Sequence, residues 1–280
     1  MLLAVLLGAG GCRMSPPAIQ RATLLAERGR EEEAIRLLAE HLVVSPADMP
    51  ARRKLIRLYG SVGRLDQAQA QTERLAEALP ANSPIALVEL GHAYELAHRF
   101  DEALAAYDRA SAIAPKDPLG PRSGGLRAAR WGEIAAAEPR LAEAVHRDPL
   151  DSESWHALGV VRLGLGKLEA ARQAYTAGLR ADSTGMEHRL GLATVALRMN
   201  QPQAALAEYE ILLDVRTDYT PAMLGKAWAL ILLGRLDDAE GALARAEARG
   251  GDPQSISRQR LLIQDRRHQA QQKSQDATHP

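Results

Sequence analysis

At four places in the sequence a glutamate stands three residues before a histidine, a spacing that brings both side chains to one face of a helix. The pairs are Glu89 with His92, Glu95 with His98, Glu143 with His146 and Glu153 with His156. Inward-facing copies of this motif, joined by glutamates from other helices, bind paired metal ions in helical bundles. The alternative is ordinary pairing of a carboxylate with an imidazole one helical turn away. The choice depends on whether the four pairs share one face of the fold.

The amino-acid composition argues against several kinds of function. Lys and Arg total 35, as do Asp and Glu, so no global field would attract nucleic acid. The single cysteine, Cys12, excludes an intrachain disulfide and a Cys-rich zinc site. No serine, histidine and aspartate stand in a recognisable catalytic motif, and no Gly-rich loop follows a strand. The sequence therefore predicts a protein that is not an enzyme, with no cofactor and no small-molecule substrate.

Cys12 ends an apolar run that begins at Met1. The run is too short to span a bilayer, which needs about 20 residues, but it matches the apolar part of a secretory signal. It resembles a bacterial lipoprotein signal, in which the cysteine becomes the acylated first residue. Ala9 stands where that family usually has Leu, and no Lys or Arg precedes the apolar run.

The lipoprotein resemblance implies a signal peptide over 1–11 and a lipidated tether over 12–14. Arg13 follows the cysteine where lipoproteins retained in the inner membrane typically have Asp, which favours the outer membrane. The alternative is a frayed apolar terminus on a cytosolic protein.

The clearest helical pattern runs from Ser83 to Asp117, counted from Pro84 as position 1. Two apolar stripes separated by a short break predict an antiparallel helix pair. Small residues at positions 8, 20 and 27 let the backbones approach, and large ones at 4, 7, 11 and 24 fill the space beside them. These residues are Leu87, Leu90, Gly91, Tyr94, Ala103, Tyr107 and Ala110, followed by Pro115. The skeleton resembles a tetratricopeptide (TPR) repeat, whose period is about 34 residues.

The same register recurs along the chain. Proline falls at position 1 or 2 of five repeats and glycine at position 15 of five, which agrees with the apolar stripes. The resemblance implies an all-α fold, a right-handed α-solenoid of about seven TPR helix pairs with a C-terminal capping helix over 254–269 and a disordered tail over 270–280. The predicted repeats are 15–48, 49–82, 84–117, 118–151, 152–185, 186–219 and 220–253.

The repeat over 118–151 departs most from this pattern. Pro121, Gly124 and Gly125 replace residues of its first helix, and Pro139 falls inside its second. An interior proline costs about 3 kcal/mol in a helix. The repeat is interpreted either as a degenerate spacer or as a hinge between two rigid halves.

The repeat register also bears on the four Glu-His pairs. They fall at positions 6/9, 12/15, 26/29 and 2/5, on different helices and faces. One-turn pairing is therefore favoured over a metal site.

TPR arrays bind partners in a concave groove lined by positions 2, 5, 9, 12 and 13 of each first helix, as the family resemblance implies. In this chain the groove would be basic and polar near the anchor and apolar at the far end. The Lys/Asn clamp of some chaperone-associated TPR domains is missing, since Ile19 and Thr23 hold positions 5 and 9 of the first repeat. Trp228 has a second interpretation, as a core residue under the capping helix. The candidate groove residues are Arg53, Arg57, His92, Glu95, Arg122, Leu190, Leu224, Trp228 and Ile231.

Together these features predict a lipid-anchored scaffold that binds a protein partner and faces the periplasm from the outer membrane. In architecture and signal it resembles the pilotins of type IV pilus secretins and the assembly lipoproteins of tight-adherence pili. The alternative is a cytosolic TPR adaptor or a regulatory subunit of an enzyme complex.

Overall fold

The computed structural model describes the backbone of residues 17–278 and the side chains of residues 17–273. The predicted signal peptide, the tether and Cys12 lie outside this range. Within it the chain forms fifteen α-helices and no strand, which confirms the all-α class. No described helix is both long enough and apolar enough to cross a bilayer.

The helices are α1 Ala18–Glu27, α2 Glu31–Val44, α3 Met49–Ser61, α4 Leu65–Ala78, α5 Ile85–Leu96, α6 Phe100–Ile113, α7 Leu119–Trp131, α8 Ile134–Arg147, α9 Ser152–Gly164, α10 Leu168–Ala181, α11 Met186–Arg198, α12 Pro202–Val215, α13 Thr220–Leu232, α14 Leu236–Ala248 and α15 Pro253–Thr278.

The turn inside each helix pair requires a left-handed residue at position 15 of the repeat. Five of these residues are glycines with φ between 71° and 84°, because a glycine has no Cβ to clash in that conformation. His98 and Asn200 hold the same position in the other two repeats, with φ of 58° and 56°. Asn and His are among the residues that tolerate this region best. The glycines are Gly29, Gly63, Gly132, Gly166 and Gly234.

Close packing within a pair follows the predicted alternation of small and large residues. Ala103, Tyr107 and Ala110 are fully buried on α6. Tyr107 packs against Gly91 of α5, where an added Cβ would lie 2.5 Å from the tyrosine ring. Glycine is thus needed at Gly91, because it leaves room for the aromatic ring of the second helix.

The chain divides into two compact units, the first ending at Gly120 and the second beginning at Pro121. In the first unit α1, α3 and α5 stack in order, each paired with the helix that follows it. In the second unit α9, α11 and α13 stack in the same way. The division falls within the unusual repeat over 118–151, whose second helix, α8, continues through Pro139. The hinge interpretation stays a prediction.

Helix α15 packs against α13 and α14 and buries Ile256 and Ile263. A terminal helix in this place covers apolar surface that the last repeat would otherwise expose. The helix does not end at 269, as the sequence analysis predicted, but continues to Thr278. The added segment contains no glycine or proline and is rich in Ala and Gln, so nothing in it stops a helix.

Candidate protein-binding surface

Two of the predicted groove arginines meet at a buried carboxylate in the first unit. Arg53 and Arg57 lie four residues apart on α3, and both guanidinium groups turn towards Glu89 of α5. Arg53 donates from Nε to Glu89 Oε1 at 2.7 Å, and Arg57 donates from Nε to Oε2 at 2.5 Å and from Nη2 to Oε1 at 2.9 Å. Glu89 was not among the predicted groove residues, because its spacing indicated only pairing with His92.

Glu89 is fully buried, whereas the side chains of Arg53 and Arg57 are 45% and 42% exposed. Burial by itself would raise the pKa of Glu89, but His92 and the two arginines outweigh it and lower the pKa to about 2. His92 Nδ1 lies 3.6 Å from Glu89 Oε2. The carboxylate is therefore charged at neutral pH, and each guanidinium group keeps one side open to solvent.

A basic cavity of about 230 Å³ lies beside this cluster. Its cations are Arg53, Lys54 and Arg57, all on α3, a helix without any acidic residue. Lys54 forms no ion pair within the described part of the chain. Arg53 and Arg57 share the single carboxylate of Glu89, and Lys54 adds a third cation, so the cavity is positively charged. The apolar part of its lining is Ile19 and Pro50.

Arg122 is engaged inside the second unit rather than open to a partner. Its Nε donates to Asp151 at 2.8 Å, and its Nη2 also bonds Glu153. Asp151 in turn accepts from the backbone N–H of Ser154 and so caps α9. The predicted groove residue Arg122 thus ties α7 to the start of α9.

The predicted apolar residues do not share one environment. Leu190, Leu224 and Trp228 are partly buried against the core that α11 to α15 form. Ile231 is fully buried, so its prediction as a groove residue is wrong. The physical reason is α15, which packs on α13 and whose Arg266 donates to the Ile231 carbonyl at 2.6 Å.

In two of the other Glu-His pairs the glutamate binds an arginine. Glu143 accepts from Arg147 at 2.9 Å, and Glu153 binds Arg122. Glu95 is half-buried on α5. No group of three His, Cys, Asp or Glu suited to a metal ion occurs among the described residues. The geometry of Glu89 and His92, with 3.6 Å between Oε2 and Nδ1, resembles one-turn pairing.

A second buried polar residue, His188 of α11, was also not among the predicted site residues. It is 2% exposed, and its Nε2 lies 2.8 Å from Ser152 Oγ. The distance resembles that of a nucleophile and its base, but His188 Nδ1 has no hydrogen-bond partner. The orienting third group of a catalytic triad is therefore missing there. Glu89 and His188 share one sequence signal, since each is a charged or polar residue in the first half of the first helix of its repeat.

Comparison with known proteins agrees with this architecture. Family models of the tetratricopeptide repeat match residues 84–117, 124–185 and 190–255, which together make up more than half of the chain. The chain belongs to the tetratricopeptide repeat family.

Relatives of the chain are larger proteins. It is 28% identical over 172 residues to the heat-shock protein cognate co-chaperone sgt12 of Aspergillus fumigatus, covering 60% of this chain and 47% of that protein. It is 27% identical over 114 residues to superkiller complex protein 3 of Mus musculus, covering 40% of this chain and 7% of the relative. The chain thus spans less than half of either relative.

Among solved structures, the C-terminal part of a TPR repeat-containing protein from Cytophaga hutchinsonii superimposes with a TM-score of 0.63. The match covers 85% of this chain and 98% of that one at 14% identity, which shows the shared fold alone.

Proposed function

We propose that this chain is a lipid-anchored tetratricopeptide repeat scaffold that binds an acidic segment of a protein partner on the first unit. The observation that carries the proposal is the basic cavity on α3, where Lys54 lies beside Arg53 and Arg57, which share one internal carboxylate. The two guanidinium groups are held in place before a partner arrives. A preorganised site loses less conformational entropy on binding than two free side chains would.

The cavity also has a small apolar part, Ile19 and Pro50, beside its cations. A segment that combines carboxylates with aliphatic side chains would match both parts. Charge complementarity of this kind mainly accelerates association and gives specificity.

A fluorescein-labelled peptide of alternating Glu and Leu tests the proposal by fluorescence anisotropy. Wild type should bind it more tightly than the same peptide with Gln in place of Glu, and the difference should shrink at high salt. Lys54→Glu should weaken binding about tenfold, mainly by slowing association. Lys54 suits the test because it forms no ion pair with any residue that the structure describes.

Lys116→Glu is the matched control, since Lys116 is exposed in the same unit and does not line the cavity. Equal losses for Lys54→Glu and Lys116→Glu would mean that only net charge matters. An acidic peptide that binds no better than its Gln version would reject the acidic partner.

The lipid anchor is the second part of the proposal and rests on Cys12. Wild-type protein should partition with membranes and incorporate labelled palmitate, while Cys12→Ser should do neither. On this proposal the scaffold assists assembly of a cell-envelope complex, such as a pilus or secretion system, from the outer membrane.

Wild-type protein that is soluble, unlabelled and still begins at Met1 would instead favour a cytosolic adaptor. The similarity to the co-chaperone sgt12 supports that second candidate. Binding of an acidic segment at the α3 cavity is compatible with a lipid-anchored scaffold and with a cytosolic adaptor. The peptide experiment and the palmitate experiment therefore test separate parts of the proposal.

A further inference from the structure

A cluster of histidines lies where α11 packs on α9 and α10 in the second unit. This histidine joint consists of Ser152 and His156 of α9, Tyr175 of α10 and His188 of α11. The rings of His156 and His188 meet edge to face with centroids 5.6 Å apart, and Tyr175 lies 6.0 Å from His156 and 6.3 Å from His188. His188 is almost completely buried.

The His188 ring is packed tightly against α10. Gly178 of α10 faces the His188 ring, and a Cβ added to this glycine would overlap the ring. His188 Nε2 contacts Ser152 Oγ, while Nδ1 is buried without a partner. A neutral ring with its proton on Nε2 leaves only a lone pair unsatisfied at Nδ1. A protonated ring would bury a second N–H that has no acceptor, which costs more.

The charges around His188 act in both directions. On α9 stand His156, whose charge would repel that of His188, and Glu153, which Arg122 already binds. Asp182 follows α10, where it accepts from Thr184, and Glu187 on α11 is exposed.

Burial and the charge of His156 lower the pKa of His188, and the opposing effects of Asp182 and Glu187 are weaker. Burial likewise lowers the pKa of His156 and raises that of Tyr175 to about 12.

We propose that the histidine joint is a pH-sensitive device that keeps α11 packed on α9 at neutral pH and loosens when its imidazoles are protonated. The folded joint binds fewer protons than the unfolded chain, whose histidines titrate near the ordinary value of 6.5. Its contribution to stability is complete above that pH and decreases as the pH falls below it. Mild acid thus opens the contact between the predicted repeats 152–185 and 186–219.

NMR titration of the imidazole C–H signals in the full wild-type protein tests the proposal without a mutation. His156 and His188 should both titrate below pH 6.5, the ordinary value for a histidine. Values near 6.5 for both joint histidines would overturn the proposal.

Thermal unfolding at pH 7.5 and pH 5.5 gives a second measurement. The Tm of wild type should be lower at pH 5.5 than at pH 7.5, by about 2–4 °C. His156→Gln, which changes the more accessible ring, should reduce that loss, whereas His268→Gln should leave it unchanged. A pH-dependent loss that is the same in wild type and His156→Gln would contradict the proposal.

Discussion

Each unit buries a polar side chain at a junction between the first helices of consecutive repeats. The two buried side chains differ in their charge state. In the first unit Glu89 of α5 is buried as a charge beside α3. In the second unit His188 of α11 is buried beside α9 and favoured in its neutral form. One repeat geometry therefore accommodates either a charged or a neutral buried group.

The repeat register explains the difference. Positions 5 and 9 of the preceding first helix are Arg53 and Arg57 in the first unit, and His156 and Val160 in the second. Two guanidinium groups can neutralise a buried carboxylate, whereas His156 and Val160 bring no negative charge that could balance a protonated His188. The preceding helix thus determines which buried group its successor can carry.

The largest expected effect is on the charged junction. Glu89→Ala should lower the free energy of unfolding by about 2–3 kcal/mol, because it leaves two arginines facing each other without their carboxylate. This is less than the roughly 3–5 kcal/mol typical of a broken buried pair, since both arginines can be rehydrated. Urea denaturation measures the loss.

Glu73→Ala is the control for this substitution. Glu73 is exposed on α4 and accepts one long hydrogen bond, from Gln69 at 3.4 Å, so its removal should change stability by less than about 0.5 kcal/mol. Similar losses for both variants would show that the Glu89 pair stabilises nothing.

A smaller effect is expected where the neutral junction is packed most tightly. Gly178→Ala should destabilise the protein by about 1–2 kcal/mol, because the new methyl group overlaps His188 and overpacking outweighs the better helix propensity of alanine. Thermal or urea unfolding would detect the change.

Gly241→Ala offers the opposite outcome in the same unit. An added Cβ at Gly241 of α14 meets nothing within 4 Å, so this variant should be stabilised by up to about 1 kcal/mol. If Gly178→Ala is stabilised to the same extent, the His188 ring does not limit packing there.

The smallest but most discriminating effect is the order in which acid loosens the two junctions. Both buried groups have lowered pKa values, so both junctions lose stability as the pH falls. The histidine joint should weaken once the pH falls below 6.5, the ordinary pKa of a histidine. The Glu89 junction should stay intact until the pH falls from 4.5, the ordinary pKa of a glutamate, towards 2. Hydrogen exchange, corrected for intrinsic rates, should therefore accelerate in α9 and α11 before α3 and α5. Simultaneous acceleration would remove the distinction between the junctions.

Much of the local structure follows from short-range chemistry that is visible in the sequence. Glycine at position 15 predicts the left-handed turn, and proline at position 1 or 2 predicts a helix start, because each depends on a few adjacent backbone atoms. Even His98 and Asn200 take the same backbone conformation where glycine is absent. The small and large positions on α5 and α6 likewise predict that Gly91 and Tyr107 pack together, since a helix pair is a local unit.

The candidate site depended on contacts between repeats. Arg53 and Glu89 are 36 residues apart, and their meeting depends on how α5 is offset along α3. Side-chain spacing showed that Arg53 and Arg57 share a face, but not that the chain supplies their carboxylate.

The amino-acid sequence by itself determined the helix pairs, their number and their turns, because these follow from periodicity and backbone preferences within about 34 residues. The tertiary structure decided which polar groups are buried and in which charge state. It also decided that Ile231 lies in the core under α15 rather than on a binding surface. Burial depends on what packs across a junction, and the free energy of a buried polar group depends on the partners it finds there.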